Sequence, residues 1–145
     1  MSKVRVAFYK GPAGSFWQKV GHWATCVWTQ SKYSHCEIEV DGVCYSSSAR
    51  DGGVRAKEID LGSGRWDVFD WPDDSAAERV HELFNATAGS AYDWAGVLRF
   101  ILPVLPRRRW SWFCSEWCSL PLGFGEPQIP PQVLYELVKA RLANA

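Results

Sequence analysis

The sequence YSHCEIEVDGVCYSSS, residues 33–48, contains the clearest strand pattern in the chain. Polar residues at positions 35, 37 and 39 alternate with apolar residues at 36, 38 and 40, the period of two that is typical of a β-strand. Asp41-Gly42 follows as a strong turn signal, and VCYSSS can form the returning strand. The stretch therefore predicts a hairpin with one apolar and one polar face, and we expect Glu39 on the polar face to be solvated.

The flanking sequence predicts more strands and several helices. VRVAFYKG and RWDVFDW are strand candidates, RDGGVRAKEIDL follows the hairpin with Gly52-Gly53 as punctuation, and the middle of the chain therefore predicts a small antiparallel sheet. Residues 75–89 predict a helix that opens with a capping box, Ser75 facing Glu78. QVLYELVKARLA predicts a last helix behind Pro130-Pro131, and two further helices are predicted over residues 15–29 and 94–102. The fold class is α+β, with the sheet packed against helices.

Length and composition limit the domain organisation and the partners. A chain of 145 residues with 47% hydrophobic residues predicts one globular domain, residues 1–145, rather than a disordered segment. The net charge is zero, so no global field attracts nucleic acid or anionic lipid, and we expect no nucleic-acid partner. Arg107 to Arg109 form a local basic patch, which we interpret as a solvated loop in preference to a membrane-surface or substrate contact. The sequence leaves the oligomeric state open.

Several features bear on localisation. The N-terminal MSKVRVAFYKG has no apolar signal core, and the apolar segment 94–105 is interrupted by Arg99 and Pro103 and is too short to span a membrane. Five cysteines, an odd number without a signal peptide, favour reduced thiols over a disulfide framework. These features predict a cytoplasmic protein.

The sequence WSWFCSEWC, residues 110–118, contains the candidate nucleophile. We expect Cys114 in the first turn of a short helix broken by Pro121, where a helix N-terminus and a nearby imidazolium would lower the thiol pKa. Backbone N–H groups there could also hold an oxyanion. We interpret Glu116 as a capping residue first and a catalytic one second, and we expect Cys118 to pack inward.

The catalytic base is sought among three histidines. His22 and His81 lie in helical patterns and are interpreted as structural, whereas His35 lies on the polar face of the predicted strand. Glu37 shares that face, about 7 Å further along the strand, which is close enough to orient the imidazole. Ser46 to Ser48 on the returning strand provide a second possible orienting group.

With His35 preceding Cys114, the chain resembles a circularly permuted papain-like enzyme of the NlpC superfamily, in its YiiX-like branch. The similar segments are YSHCEIEVDGVCYSSS, GSAYDWAGVL and FCSEWC. The resemblance implies a permuted papain-like fold with Cys114 as nucleophile and His35 as base. The family's third polar residue maps onto Ser46 to Ser48, with Ser47 in the middle, and Glu37 is the alternative. Tyr92 and Asp93 match a family motif and are expected to line the site or cap a helix.

The function implied is that of a cysteine hydrolase of the peptidase or amidase type, or an acyltransferase, acting on a peptide or acyl substrate. No cofactor and no metal are expected, and some relatives are phage-encoded. Two alternatives remain open. One is a non-catalytic lipid- or protein-binding module, and the other is a zinc site that joins Cys114 and Cys118 to His35 or Cys36, although this spacing is not a recognised zinc pattern.

Overall fold

The computed structural model describes residues 1–10, 32–94, 104, 111–125 and 128–145. Across these residues the chain is a mixed α+β protein with a seven-stranded sheet and three helices, which confirms the predicted fold class. The predicted helix over 15–29, with His22, lies outside the described residues. The same holds for nearly all of the predicted helix over 94–102 and for the basic patch.

The sheet is larger than the sequence indicated. Its strand order is β5-β1-β2-β3-β4-β6-β7, and every neighbouring pair is antiparallel except β6 and β7, which are parallel. The sequence predicts a strand or tight loop for WSWF, which leads into Cys114, and this segment contains β7, whereas β6 was missed because a strand of two residues is too short to show a period. The strands are β1 (Val4–Tyr9), β2 (His35–Val40), β3 (Val43–Ser48), β4 (Gly53–Lys57), β5 (Trp66–Asp70), β6 (Ala91–Tyr92) and β7 (Ser111–Trp112). The helices are α1 (Ala76–Thr87), α2 (Cys114–Ser119) and α3 (Pro131–Ala143).

The predicted hairpin is confirmed as β2 and β3. Val40 pairs with Val43 across the turn, where Asp41 and Gly42 have φ angles of 49° and 93°. Positive φ at both central residues is the geometry that Asp-Gly favours in a two-residue hairpin loop. Strand β1 pairs with the other edge of β2, so β2 lies inside the sheet.

The apolar face of β1 and β2 packs against the helices. Directly opposed residues such as Phe8 and Cys36, or Val6 and Ile38, share this face because their Cα atoms are cross-strand partners. Their side chains form one core cluster with residues from all three helices, among them Ala76, Ala77, Val80, Cys114, Trp117, Cys118, Leu134 and Val138.

The face that the sequence marks as polar is buried too. Ala7 lies opposite Glu37, Cys44 lies opposite Glu39, and Leu61 packs against Ala7 and Cys44. Glu39 is 7% exposed, so the prediction of a solvated side chain is wrong. The physical reason is that the segment after β4 covers this face, and Glu39 accepts hydrogen bonds from the Arg5 guanidinium, one of them at 2.6 Å.

Helix α1 occupies the predicted span, but the predicted capping box is wrong. Ser75 makes no side-chain capping hydrogen bond to the helix. Its hydroxyl donates instead to Asp73 Oδ1 at 2.6 Å and accepts a hydrogen bond from Arg79. The carboxylate of Asp73 also accepts a hydrogen bond from Arg79 at 2.6 Å, so the Ser75 hydroxyl is bonded to this ion pair and not to the backbone of the helix.

Helix α2 is fixed in place by hydrogen bonds as well as by packing. The indole Nε1 of Trp117 donates to Thr87 Oγ1 at 2.9 Å, which ties α2 to α1. The Ser119 hydroxyl donates to the Gly125 carbonyl at 2.6 Å at the other end. The helix ends before Pro121, as predicted, and packs against β2, β3 and α3. Its first residue is therefore held against the sheet.

Gly53 allows β6 to approach β4. It pairs with Ala91, its φ is 148°, and a Cβ atom at this position would collide with the backbone carbonyl of Ser90. Gly52 also has a positive φ, 84°, but a Cβ atom there would meet no atom within 4 Å. Alanine substitutions at the two positions therefore differ: both introduce backbone strain, but only the one at Gly53 also introduces a steric collision.

We expect Gly53→Ala to lower the free energy of unfolding by about 2 kcal/mol more than Gly52→Ala, because only the first adds a backbone collision to the strain. Urea unfolding followed by tryptophan fluorescence measures both variants. Equal losses would contradict the close approach of β6 to β4.

Candidate active site

Cys114 begins α2 and lies over the start of β2. The residue before it, Phe113, has extended backbone angles, so the chain enters the helix directly at the cysteine. The Cys114 side chain belongs to the helix-facing core and is 0% exposed. Because α2 packs on β2, the thiol meets the first residues of that strand.

His35 joins the thiol to a carboxylate. Its Nε2 lies 2.6 Å from Glu37 Oε1, and its imidazole is near enough to Cys114 for each group to shift the pKa of the other. The structure thus brings together the three residues that the sequence singled out as nucleophile, base and orienting group.

Glu37 is held from its other side by a residue that sequence reasoning missed. The carboxylate is 0% exposed, and Arg55 Nη1 donates to its Oε2 at 2.8 Å while Nη2 donates to Oε1. Arg55 Nε in turn donates to Asp51 Oδ2 at 2.8 Å. The register of β3 with β4 pairs Arg55 with Ser46, and from there the arginine side chain extends across β3 to Glu37 on β2. Extending the predicted hairpin by one strand could have found it.

The surroundings of Cys114 favour its thiolate. Burial by itself raises a thiol pKa, but hydrogen bonds from the Cys36 side chain and the His35 imidazole, with the imidazolium charge, lower the pKa of Cys114 to about 5. The backbone N–H of Cys36 adds a further hydrogen bond. Burial and the hydrogen bonds to Cys114 and Cys118 raise the pKa of Cys36 itself, which keeps that thiol protonated.

The surroundings of His35 favour the imidazolium. Burial lowers its pKa, but the charge of Glu37 and the hydrogen bonds to Cys114 and Glu37 outweigh burial and raise the pKa to about 10. Burial likewise opposes ionisation of Glu37, and the Arg55 hydrogen bonds together with His35 keep the pKa of that carboxyl below its usual value. The lowered pKa of Cys114 and the raised pKa of His35 together favour a thiolate–imidazolium pair near neutral pH.

The serines of β3 are bonded to backbone groups. Ser46 Oγ donates to the Cys36 carbonyl at 2.7 Å, and Ser47 Oγ donates to the Trp112 carbonyl at 2.6 Å. Ser47 thereby ties β3 to β7, the strand that leads into Cys114. Of the two orienting groups that the sequence left open, Glu37 is the one in hydrogen-bond contact with the imidazole.

The remaining predicted residues contact the segment that leads into Cys114. Glu116 is buried, and its Oε2 accepts the Phe113 N–H at 3.5 Å, a long contact in the position of a cap. Asp93 is also buried, and its N–H donates to the Trp112 carbonyl at 3.0 Å. The Tyr92 ring packs 5.9 Å from the Phe113 ring. Burial first, and then the charge of the nearby Cys114, raise the pKa of Tyr92.

Cys118 packs inward, as predicted. Its Sγ donates to the Cys36 carbonyl at 3.8 Å and lies 3.7 Å from Ser46 Oγ. Among the residues that the structure describes, no group of three or more histidine, cysteine or acidic side chains is arranged to hold a metal ion. The described residues give the zinc alternative no ligand set.

The site meets solvent on the imidazole side. The His35 side chain keeps 20% of its surface exposed, whereas Glu37 behind it keeps none. The Trp66 ring lies edge-on to His35 at 6.4 Å and packs 5.0 Å from the Tyr9 ring. A molecule approaching the thiol from this side therefore meets an aromatic wall and the imidazole.

No family model, curated protein or solved structure matches this chain significantly. Within the described ranges, no helix is long and apolar enough to cross a membrane.

We expect iodoacetamide to alkylate Cys114 with a rate that titrates near pH 5, since the lowered pKa keeps the thiolate present above that pH and loses it below. His35→Ala removes the imidazolium and should move the titration up toward the free-thiol value of about 8.5. The rates are measured against pH, with mass spectrometry locating the adduct.

His81→Ala is the matched control, because His81 packs edge-on against Tyr45 at 5.6 Å and has no contact with Cys114 in the described structure. It should leave the profile unchanged. A wild-type titration near pH 8.5 would refute the activated pair.

Proposed function

We propose that this protein is a cysteine hydrolase of the peptidase or amidase type, acting on an amide or ester through a thioester intermediate. The observation that carries the proposal is the placement of Cys114 at the start of α2, which packs on β2, close to His35 at the start of that strand, whose Nε2 lies 2.6 Å from Glu37 Oε1. It supplies a nucleophile, a proton carrier and a group that orients the carrier, in the order that covalent acyl transfer requires.

In the first half-reaction, the Cys114 thiolate attacks the acyl carbon, and a carbon–sulfur bond forms. The carbonyl electrons move onto oxygen, and backbone N–H groups around Cys114 are proposed to stabilise that charge. When the oxyanion collapses, the bond to the leaving amine or alcohol breaks and the imidazolium of His35 gives its proton to the leaving group. The product is a thioester on Cys114 and a neutral imidazole.

In the second half-reaction, the neutral imidazole takes a proton from water, and the resulting hydroxide attacks the thioester. The carbon–sulfur bond breaks, the acid leaves, and the thiolate–imidazolium pair is restored. An amine or alcohol in place of water makes the same chemistry an acyltransferase. Glu37 holds the imidazole in one orientation and stabilises its charge through both halves.

The permuted papain-like fold is part of the same proposal. Its support is the chain order, with the histidine at the start of an internal strand and the cysteine at the start of a later helix that packs on that strand. Strand β7 and its hydrogen bond from Ser47 lead the chain into Cys114. A peptide or acyl group is the proposed substrate.

A specific observation favours the alternative of a non-catalytic binding module. Cys114 has no exposed surface, so a substrate must displace side chains to reach the sulfur. In a binding module that retains this constellation, the thiol would remain shielded. The two functions differ in whether an acyl donor forms a covalent adduct at Cys114.

We expect p-nitrophenyl acetate to give a burst of p-nitrophenolate and an acetyl adduct on Cys114, because an activated ester demands little help for its leaving group. Cys114→Ala should abolish the burst and lower the rate by at least about a thousandfold. Stopped-flow absorbance and peptide mass spectrometry are the measurements.

Cys118→Ala is the matched control, since it removes a buried thiol from the same helix without touching the proposed nucleophile. It should retain the burst. An unmodified Cys114 in folded wild-type protein would overturn the hydrolase proposal in favour of the binding module.

A further inference from the structure

Arg55 is the one described side chain that holds both oxygens of Glu37. Its Nη1 and Nη2 each donate to a different carboxylate oxygen, so the planar guanidinium fixes the plane of the carboxylate. Its third edge is fixed as well, because Nε donates to Asp51. The oxygen that receives Nη2 is the same Oε1 that contacts His35 Nε2.

We propose that Arg55 is a positioning residue of the Cys114 site, which acts through Glu37 to keep the carboxylate charged and aimed at His35. The inference rests on the proposed function, since it assigns a role in the same reaction. In this proposal Arg55 does not touch the reacting atoms.

The physical reason is the cost of a buried charge. A carboxylate without exposed surface is destabilised unless hydrogen bonds and opposite charges compensate it. Without Arg55, only the His35 imidazolium would remain to oppose the burial that raises the pKa of Glu37. Glu37 would then be protonated at a higher pH, and His35 would lose the charge that sustains its own imidazolium.

The other titratable groups around Glu37 do not replace Arg55. Cys44 lies on the neighbouring strand, and burial with the charge of Glu37 raises its pKa to about 12, so it stays neutral. Cys114 contributes a negative charge from α2, which opposes that of Glu37. Asp51 is likewise negative, and it contacts Arg55 rather than the carboxylate.

The chain contains a matched pair for comparison. Arg5 donates through Nε and Nη2 to the two oxygens of Glu39, two residues further along the same strand. This second fork lies on the same face of the sheet but has no described link to His35 or Cys114. The two arginines thus share the forked ion-pair chemistry and differ in what their carboxylate touches, with the Arg5 side chain the more exposed of the two, 32% against 16%.

The test is the pH profile of Cys114 alkylation by iodoacetamide in the wild type, Arg55→Gln, Arg55→Lys and Arg5→Gln. We expect Arg55→Gln to move the acid midpoint of Cys114 alkylation upward by about one pH unit. An adjacent arginine lowers a carboxyl pKa by about that much or more, and a protonated Glu37 would no longer sustain the imidazolium that stabilises the Cys114 thiolate. Arg55→Lys keeps the charge without the fork and should give a smaller upward shift. Arg5→Gln should leave the midpoint in place.

Urea unfolding of each variant separates the shift in the Cys114 midpoint from a loss of stability. Both glutamine variants break an arginine–carboxylate pair, but only Arg55→Gln should move the pH profile of alkylation. If Arg55→Gln does not fold, the comparison rests on Arg55→Lys, and a wild-type midpoint in that variant overturns the inference. Equal shifts in Arg55→Gln and Arg5→Gln also overturn it. If the wild-type midpoint is low and Arg55→Gln leaves it unchanged, the role of Arg55 is refuted and the proposed function stands. If the wild-type midpoint lies near pH 8.5, both the role of Arg55 and the proposed function are refuted.

Discussion

A carboxylate with no exposed surface lies at the centre of the described sheet, and the arrangement of the candidate site follows from neutralising it. Glu37 has Arg55 on one side and His35 on the other, and each contributes a positive charge and hydrogen-bond donors. Burial alone would drive the carboxyl to its neutral form. Because the two cations prevent this, Glu37 can stabilise the imidazolium of His35, which in turn stabilises the thiolate of Cys114. The reactive state of the sulfur thus depends on a charge two side chains away.

The fold provides the burial that gives these charges their strength. Helices cover one face of β1 and β2, and the segment containing Leu61 covers the other, so the interior of the sheet is screened from water on both sides. His35 is the first residue of its strand, and there the imidazole reaches Glu37 on its own face and Cys114 in the helical layer. A histidine in the middle of the strand would have the backbone of β2 between itself and the helix.

The sequence predicted the parts of this arrangement that local patterns encode. The period of two and Asp-Gly placed His35 and Glu37 on one strand face, and Pro121 marked the end of the short helix after Cys114. Patterns of this kind do not carry contacts between distant segments. The burial of Glu39 depends on how the residues after β4 fold over the sheet. The Ser75 hydroxyl is hydrogen-bonded to Asp73 and so does not cap the helix. Arg55 reaches Glu37 only because β3 and β4 pair in this register. The hydrogen bond from Ser47 to the Trp112 carbonyl was missed for the same reason, because it joins segments that are far apart in the sequence.

The charges of the site form a line of alternating sign that begins near the surface and ends at the buried sulfur. Asp51, Arg55 and His35 are partly exposed, whereas Glu37 and Cys114, on either side of His35, are fully buried. In such a line each charge is flanked by opposite charges, so neither water nor salt is needed to balance the interior members. The same alternation makes the thiolate sensitive to neutralisation of any member, with an effect that weakens as the screening near the surface end grows. Arg5 and Glu39 form a pair of the same chemistry that has no described link to a histidine, and this difference in connection separates a structural ion pair from one that bears on the thiol.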